Sequence, residues 1–155
     1  MDLKQVEAFF FKAMIEGWAT GAEKHAIPDM PGYKEIAFRD GDFCLRDRWC
    51  KIKGNPKSAG HTTIWFQDVP AWVMHYSGWY DQRASGLVKR ALRKNYEAKN
   101  FFGGRGPLAF HEDPLVYLNK SLANDFADFH GTELVIDCDR GKELGYHDYS
   151  GMSLL

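Results

Sequence analysis

The sequence predicts an α+β domain: two similar antiparallel β-meanders joined in one bent sheet, with two helices packed on it. Three observations carry that prediction. First, the chain repeats itself. Gly60-His61-Thr62-Thr63-Ile64-Trp65-Phe66, followed by Trp72-Val73-Met74-His75-Tyr76-Ser77-Gly78, is matched by a second run at an offset of 71 to 73 residues. That second run is Gly131-Thr132-Glu133-Leu134-Val135-Ile136-Asp137, followed by Gly145-Tyr146-His147-Asp148-Tyr149-Ser150-Gly151. Each copy has a glycine, an apolar run, a turn, an alternating aromatic run and a Tyr-Ser-Gly end, and a repeat of this kind constrains architecture strongly. Second, the alternating runs are joined by short turns, which force antiparallel pairing. Third, two stretches carry helical periodicity. With 155 residues and no separating linker, one domain over 1–155 is expected, with pseudo-repeat halves at about 33–80 and 108–155.

The elements follow in order. Val6, Phe9, Phe10, Ala13 and Met14 form one helical stripe, with Asp2 and Gln5 as a capping pair and Gly17 near the end. Residues 19–32, broken by Pro28, Pro31 and Gly32, read as a loop. A short strand over Tyr33–Phe38 meets the Asp40-Gly41 turn signal. From Phe43 to Ile52 the residues alternate, with Phe43, Leu45, Asp47 and Trp49 on one face and Cys44, Arg46, Arg48 and Cys50 on the other. Strands at Thr62–Phe66 and Ala71–Tyr76 follow. A second helix over about Ala84–Tyr96 turns Leu87, Val88, Ala91 and Leu92 inward. Gly103-Gly104-Arg105-Gly106-Pro107 breaks the halves, and strands at Leu115–Asn119, Glu133–Asp137 and Leu144–Tyr149 complete the second.

Composition narrows function only by exclusion. A net charge of −1 gives no support to nucleic-acid binding, and no run approaches a membrane span. Three cysteines and a polar start without a signal h-region point to a reduced, cytoplasmic setting. Charge is uneven: residues 81–105 hold seven basic side chains against two acidic, and residues 111–148 hold nine acidic against three basic. A solvated helix face beside an acidic sheet edge accounts for this, with self-association or an anionic partner as the alternative.

Trp72-Val73-Met74-His75-Tyr76-Ser77-Gly78, Arg105-Gly106-Pro107, Phe129-His130-Gly131-Thr132-Glu133 and Tyr149-Ser150-Gly151 occur in this order along the chain. In these motifs the chain resembles a bacterial domain family of unknown function. The family pattern runs Phe-x-Gly-x-Glu, Trp-x-Met-Asn-Tyr-x-Gly, Arg-Gly-Pro, Phe-x-Gly-x-Glu and Tyr-x-Gly. Its members stand alone or follow a helix-turn-helix of the phage-repressor type. The first element is degraded here, with Thr62 in place of the acid, and His75 stands where the family has Asn. The resemblance implies a single α+β domain and no particular activity.

Candidate chemistry is sparse. His61-Thr62-Thr63 and His130-Gly131-Thr132 suggest a two-histidine phosphoesterase, in which each His acts as acid or base. The repeat register opposes it: Gly60 aligns with Gly131, so His61 aligns with Thr132 and His130 with Ala59. No metal spacing occurs, since Cys44 and Cys50 lie about 20 Å apart along an extended strand; neither a metal nor a cofactor is expected. Gly103-Gly104-Arg105-Gly106 fits neither the phosphate loop nor the dinucleotide fingerprint. The remaining signal is aromatic: Trp72, Met74 and Tyr76 share one face, which either fills the core or lines a concave site.

The expected function is therefore a non-enzymatic small-molecule-binding or sensing module, with an aromatic cleft between the halves. Asp47, Trp65, Trp72, His75, Tyr76, Arg105, Glu133 and Tyr149 are its candidate ligand-binding residues. The alternatives are a small hydrolase or phosphoesterase drawing on His61, His75, His130, His147 and Glu133, and a protein-interaction module that pairs with its own kind. Neither nucleic acid nor membrane is an expected partner.

Overall fold

The computed structural model describes residues 1–19 and 21–155, so Thr20, inside the stretch read as a loop, lies outside the described residues. The described residues form one open antiparallel sheet of nine strands and two α-helices, the α+β class expected. The strands are β1 (His25–Ala26), β2 (Tyr33–Asp40), β3 (Phe43–Cys50), β4 (Lys57–Phe66), β5 (Val69–Tyr80), β6 (Ala109–Glu112), β7 (Leu115–Asp125), β8 (Asp128–Asp137) and β9 (Lys142–Ser153). Across the sheet their order is β1-β2-β3-β4-β5-β9-β8-β7-β6. The edge strands β1 and β6 escaped the sequence reading, because two and four residues are too few for alternation to show.

Helix α1 (Leu3–Ala13) starts with the expected capping box: the Gln5 N–H donates to Asp2 and the Asp2 N–H to the Gln5 side chain. It does not stop at Gly17 but passes into a π-helical stretch, Met14–Ala19. A Cβ on Gly17 would stand 3.1 Å from the Phe38 Cβ, so the glycine lets this stretch lie close on β2. Helix α2 (Gln82–Glu97) is capped by Asp81, which accepts from the Arg83 N–H at 2.9 Å, and buries Leu87, Val88, Ala91 and Leu92 as its periodicity requires. Its outer basic residues are only partly free: Arg90 pairs with Glu112 and Arg83 with Asp137. Among the described residues, no helix is long and apolar enough to cross a membrane.

Both helices cover one face of the sheet. Phe10 of α1 packs 5.2 Å from Trp72, 5.9 Å from Phe126 and 6.0 Å from Tyr96 of α2. Trp72 is wholly buried and stacked on Phe126 and Phe129, with its indole N–H donating to the Phe126 carbonyl at 3.0 Å.

Strands β4 and β8 begin earlier than the sequence suggested, because Gly60 and Gly131 lie inside them rather than at their starts. Gly60 pairs with Tyr76, Gly131 with Tyr149, and Tyr76 with Tyr149 at the centre of the sheet. A Cβ on Gly60 would sit 2.5 Å from the Arg48 carbonyl oxygen and 2.6 Å from the Tyr76 ring end. Glycine here is room for a tyrosine. Gly60→Ala should therefore cost about 1–3 kcal/mol. Gly86→Ala, inside α2 where only the flexible end of Arg90 comes within 3.2 Å, should stabilise by about 0.5–1 kcal/mol. Urea unfolding of the two variants should show opposite signs.

Candidate functional site

Two polar clusters lie on the helix-covered face. The first is built on β3, β4 and β5. Asp47, 4% exposed, accepts through Oδ1 from Thr62 Oγ1 at 2.9 Å and from Tyr76 Oη at 2.9 Å. Among the described residues, Oδ2 accepts no hydrogen bond. Burial pushes the Asp47 carboxyl up, and the two hydroxyl donors pull it part of the way back.

The second cluster centres on Glu133 of β8, which is fully buried. It takes an ion pair from Arg105 and hydroxyl donors from Tyr117 and, at 2.8 Å, from Tyr80. Burial alone would raise the Glu133 carboxyl; the Arg105 charge and its hydrogen bond outweigh that and hold it below the usual range. Burial likewise lowers Arg105, and Glu133 reverses it to well above the ordinary value. Tyr80 and Tyr117 are driven upward by burial and then by the carboxylate. Arg105 joins the clusters, since its guanidinium lies over the Tyr76 ring, 5.4 Å from the centroid.

His147 of β9 lies beside Glu133. Its Nδ1 is 3.9 Å from Glu133 Oε1 without a hydrogen-bond partner, and its Nε2 is 3.2 Å from Ser58 Oγ. Burial, then Arg105, push its pKa down to about 4, against the opposing pull of Glu133 and Asp148. In the unfolded chain it would titrate near 6.5. Between those values the unfolded state binds the extra proton, so this contribution is complete above about pH 6.5 and is lost as pH falls toward 4, to the extent of about 3 kcal/mol. Urea titrations from pH 7.5 to 4.5 should show this decline, and His147→Gln should flatten it.

These side chains meet at a cavity of about 540 Å³ between the sheet and the helix layer. Asp47, Thr62, Tyr76, Arg105 and His147 form its polar side. Trp18 of the π-helical stretch, with Val88 and Leu92 of α2, lies opposite, and Trp49, Lys24 and Lys89 also border it. A second, more open hollow of about 670 Å³ includes Tyr33, Ile52 and Trp79.

The predicted residues distribute as follows. Asp47, Tyr76 and Arg105 line the first cavity, and Glu133 stands directly behind Arg105. Trp72 is core. Tyr149 is buried and donates to Asn119 Oδ1 at 2.7 Å. His75 and Trp65 alternate with the cavity-facing residues of β5 and β4 and lie on the other face, Trp65 half-buried and His75 exposed. His75 and His61 pair across the strands with rings 6.1 Å apart, while exposed His130 pairs with Ser150 on β9. Of the proposed acid–base residues, the fold brings His147 and Glu133 together, with His147 lining the cavity and Glu133 behind it. Among the described residues, no group of three metal-ligating side chains occurs.

Ser58, Tyr80, Tyr117 and Lys24 were missed. Tyr117 left a signal: in the repeat register read from the sequence it aligns with Leu45, a hydroxyl against an apolar side chain, and Glu133 aligns near Thr62.

Fold and site together define an α+β protein whose open sheet and helix layer border a half-open cavity with a polar floor. The family described as a domain of unknown function, DUF5680, matches residues 52–153, and the chain belongs to that family. Neither the curated proteins nor the solved structures contain a match to this chain. The matched span carries Thr62, Tyr76, Arg105, Glu133 and His147, while Lys24, Asp47 and Trp49 lie ahead of it.

Proposed function

We propose that this protein is a small-molecule-binding module whose ligand occupies the 540 Å³ cavity under β3, β4 and β5. The volume falls in the range of ligand pockets, and an apolar wall facing a few convergent polar groups is their usual construction. The observation that carries the reading is Asp47 at the cavity: the residue is buried, its Oδ1 accepts from Thr62 and Tyr76, and among the described residues its Oδ2 accepts from no protein donor. The two sequence copies and the matching register about Tyr76 and Tyr149 support an internal duplication, with one half adapted to hold a ligand. A thermal-shift screen of amines, acids and aromatic heterocycles tests this. A ligand at 100 times its Kd should stabilise the fold by about 2.7 kcal/mol. Ser85→Trp, on an exposed lining residue of α2, should abolish that gain. A panel without effect, or stabilisation that survives Ser85→Trp, sinks the reading.

One observation favours a second reading, a hydrolase: Ser58, His147 and Glu133 stand in nucleophile, base and orienter order at 3.2 and 3.9 Å. Two facts weigh against it. The Glu133 charge is already met by Arg105, and a histidine titrating near 4 is a weak base at neutral pH. Labelling of Ser58 by a fluorophosphonate would revive the enzyme; an unlabelled serine removes it. A protein-interaction role gains little from the sheet edges, since β1 and β6 offer only two and four residues for pairing.

A further inference from the structure

The two halves of the sheet treat equivalent positions differently. Asn119 stands to Tyr149 as Asp47 stands to Tyr76: each accepts the tyrosine hydroxyl, at 2.7 and 2.9 Å. Above Asn119 the space is filled by the chain itself. The Asn119 amide donates to the carbonyls of Phe102 and Gly106 at 3.0 and 2.8 Å. Gly103, at φ +62°, lies so close over the Tyr149 ring that a Cβ would overlap it. On the Asp47 side no such segment arrives among the described residues, and the corresponding space is the cavity.

The hydrogen-bond polarity is also reversed. Asn119 offers N–H to carbonyls, whereas Asp47 offers a carboxylate oxygen and so calls for a donor. That donor is better neutral than cationic, because the Arg105 guanidinium lines the same cavity. Trp18, Trp49 and Tyr76 among the lining residues suit a flat ring. Lys24 and Lys89 also line it, and among the described residues neither has an acidic partner. Lys24 lies 5.8 Å over the Trp49 ring, and burial, then repulsion from Lys89 and Lys34, lower its pKa. An anion placed between Lys24 and Lys89 relieves that repulsion.

Resting on the ligand-binding reading above, we infer that the ligand is a neutral aminoheterocycle with an anionic tail. Its ring N–H edge donates to Asp47 Oδ2, and its tail sits between Lys24 and Lys89. Purine nucleotides and pterin carboxylates share this chemistry.

The test uses the intact protein with 1-anilinonaphthalene-8-sulfonate as a cavity dye, displaced by guanosine 5′-monophosphate, adenosine 5′-monophosphate or folate. Guanosine and ribose 5-phosphate serve as the head without the tail and the tail without the head. At least one of the three full probes should bind tenfold or more tightly than both fragments. A nucleotide success places the tail charge on phosphate, and a folate success on carboxylate. Asp47→Asn and the double variant Lys24→Ala/Lys89→Ala should each weaken that probe at least tenfold while dye binding persists. Asn is the residue the other half uses beside Tyr149, so Asp47→Asn is compatible with the fold; the lysine variant alters exposed side chains and carries the test independently. Dye binding without displacement by any full probe, or displacement indifferent to both variants, overturns the ligand class and leaves the cavity reading standing. Failure of dye and probes alike overturns both.

Discussion

Glu133→Ala should lower the free energy of unfolding by about 3–5 kcal/mol, because it strands a buried cation. Arg105 is 7% exposed and Glu133 is its only ion-pair partner among the described residues. Alanine also removes the acceptor of the Tyr80 and Tyr117 hydroxyls. The damage spreads through the glycine-rich segment that Arg105 anchors. The Arg105 carbonyl accepts from the Asn95 amide at 2.6 Å, and the Gly104 carbonyl from Tyr96 Oη at 3.0 Å, so the segment ties α2 to the sheet. Glu133→Gln keeps volume and an acceptor but not the charge and should fall between. The double variant Arg105→Met/Glu133→Met removes both charges and should be less destabilised than Glu133→Ala alone. Urea unfolding at pH 7 reads all three. A Glu133→Ala loss below 1 kcal/mol would mean that water or another carboxylate reaches Arg105, and the cluster described above would need revision.

The sequence made some of this legible and hid the rest for physical reasons. Strand alternation put Leu45, Asp47 and Trp49 on one face and Trp72, Met74 and Tyr76 on another strand's inner face, and Leu45, Asp47, Trp72 and Met74 are buried. The repeated glycine and tyrosine were visible as letters. Their meaning was not, because a cross-strand contact such as Gly60 with Tyr76 depends on register, which no local pattern states. Arg105 and Glu133 were both singled out, yet their pairing needs a loop to fold back across the sheet from 28 residues away. His147 and His75 were both acid–base candidates. One residue of phase separates them: Tyr76 opposes Tyr149, so His75 falls on the outer face and His147 on the inner. The cavity was the least legible feature. Its far wall comes from the π-helical stretch and α2, and the sequence fixes neither how far they stand from the sheet nor what they leave empty.

Trp72→Ala should cost a comparable 3–5 kcal/mol, and for a different reason. The indole is wholly buried, stacked 5.1 Å from Phe126 and 5.3 Å from Phe129, and packed on Phe10 of α1. Its removal leaves a void that these rings, held by α1 on one side and β8 on the other, cannot close fully. It also orphans the Phe126 carbonyl. Tyr76, four residues along the same strand face, provides the contrast. Tyr76→Phe removes one hydroxyl donor from Asp47 and should cost about 1 kcal/mol. The two variants therefore separate core from cavity. On the ligand-binding reading proposed above, Trp72→Ala should lose stability but, below its own melting temperature, leave ligand binding unchanged. Tyr76→Phe should keep most of its stability and change ligand affinity, because Asp47 is left with Thr62 alone. If Trp72→Ala instead abolished binding while still folded, the cavity would have to extend under the Phe126–Phe129 stack, and the division between a filled half and an open half of the sheet would fail.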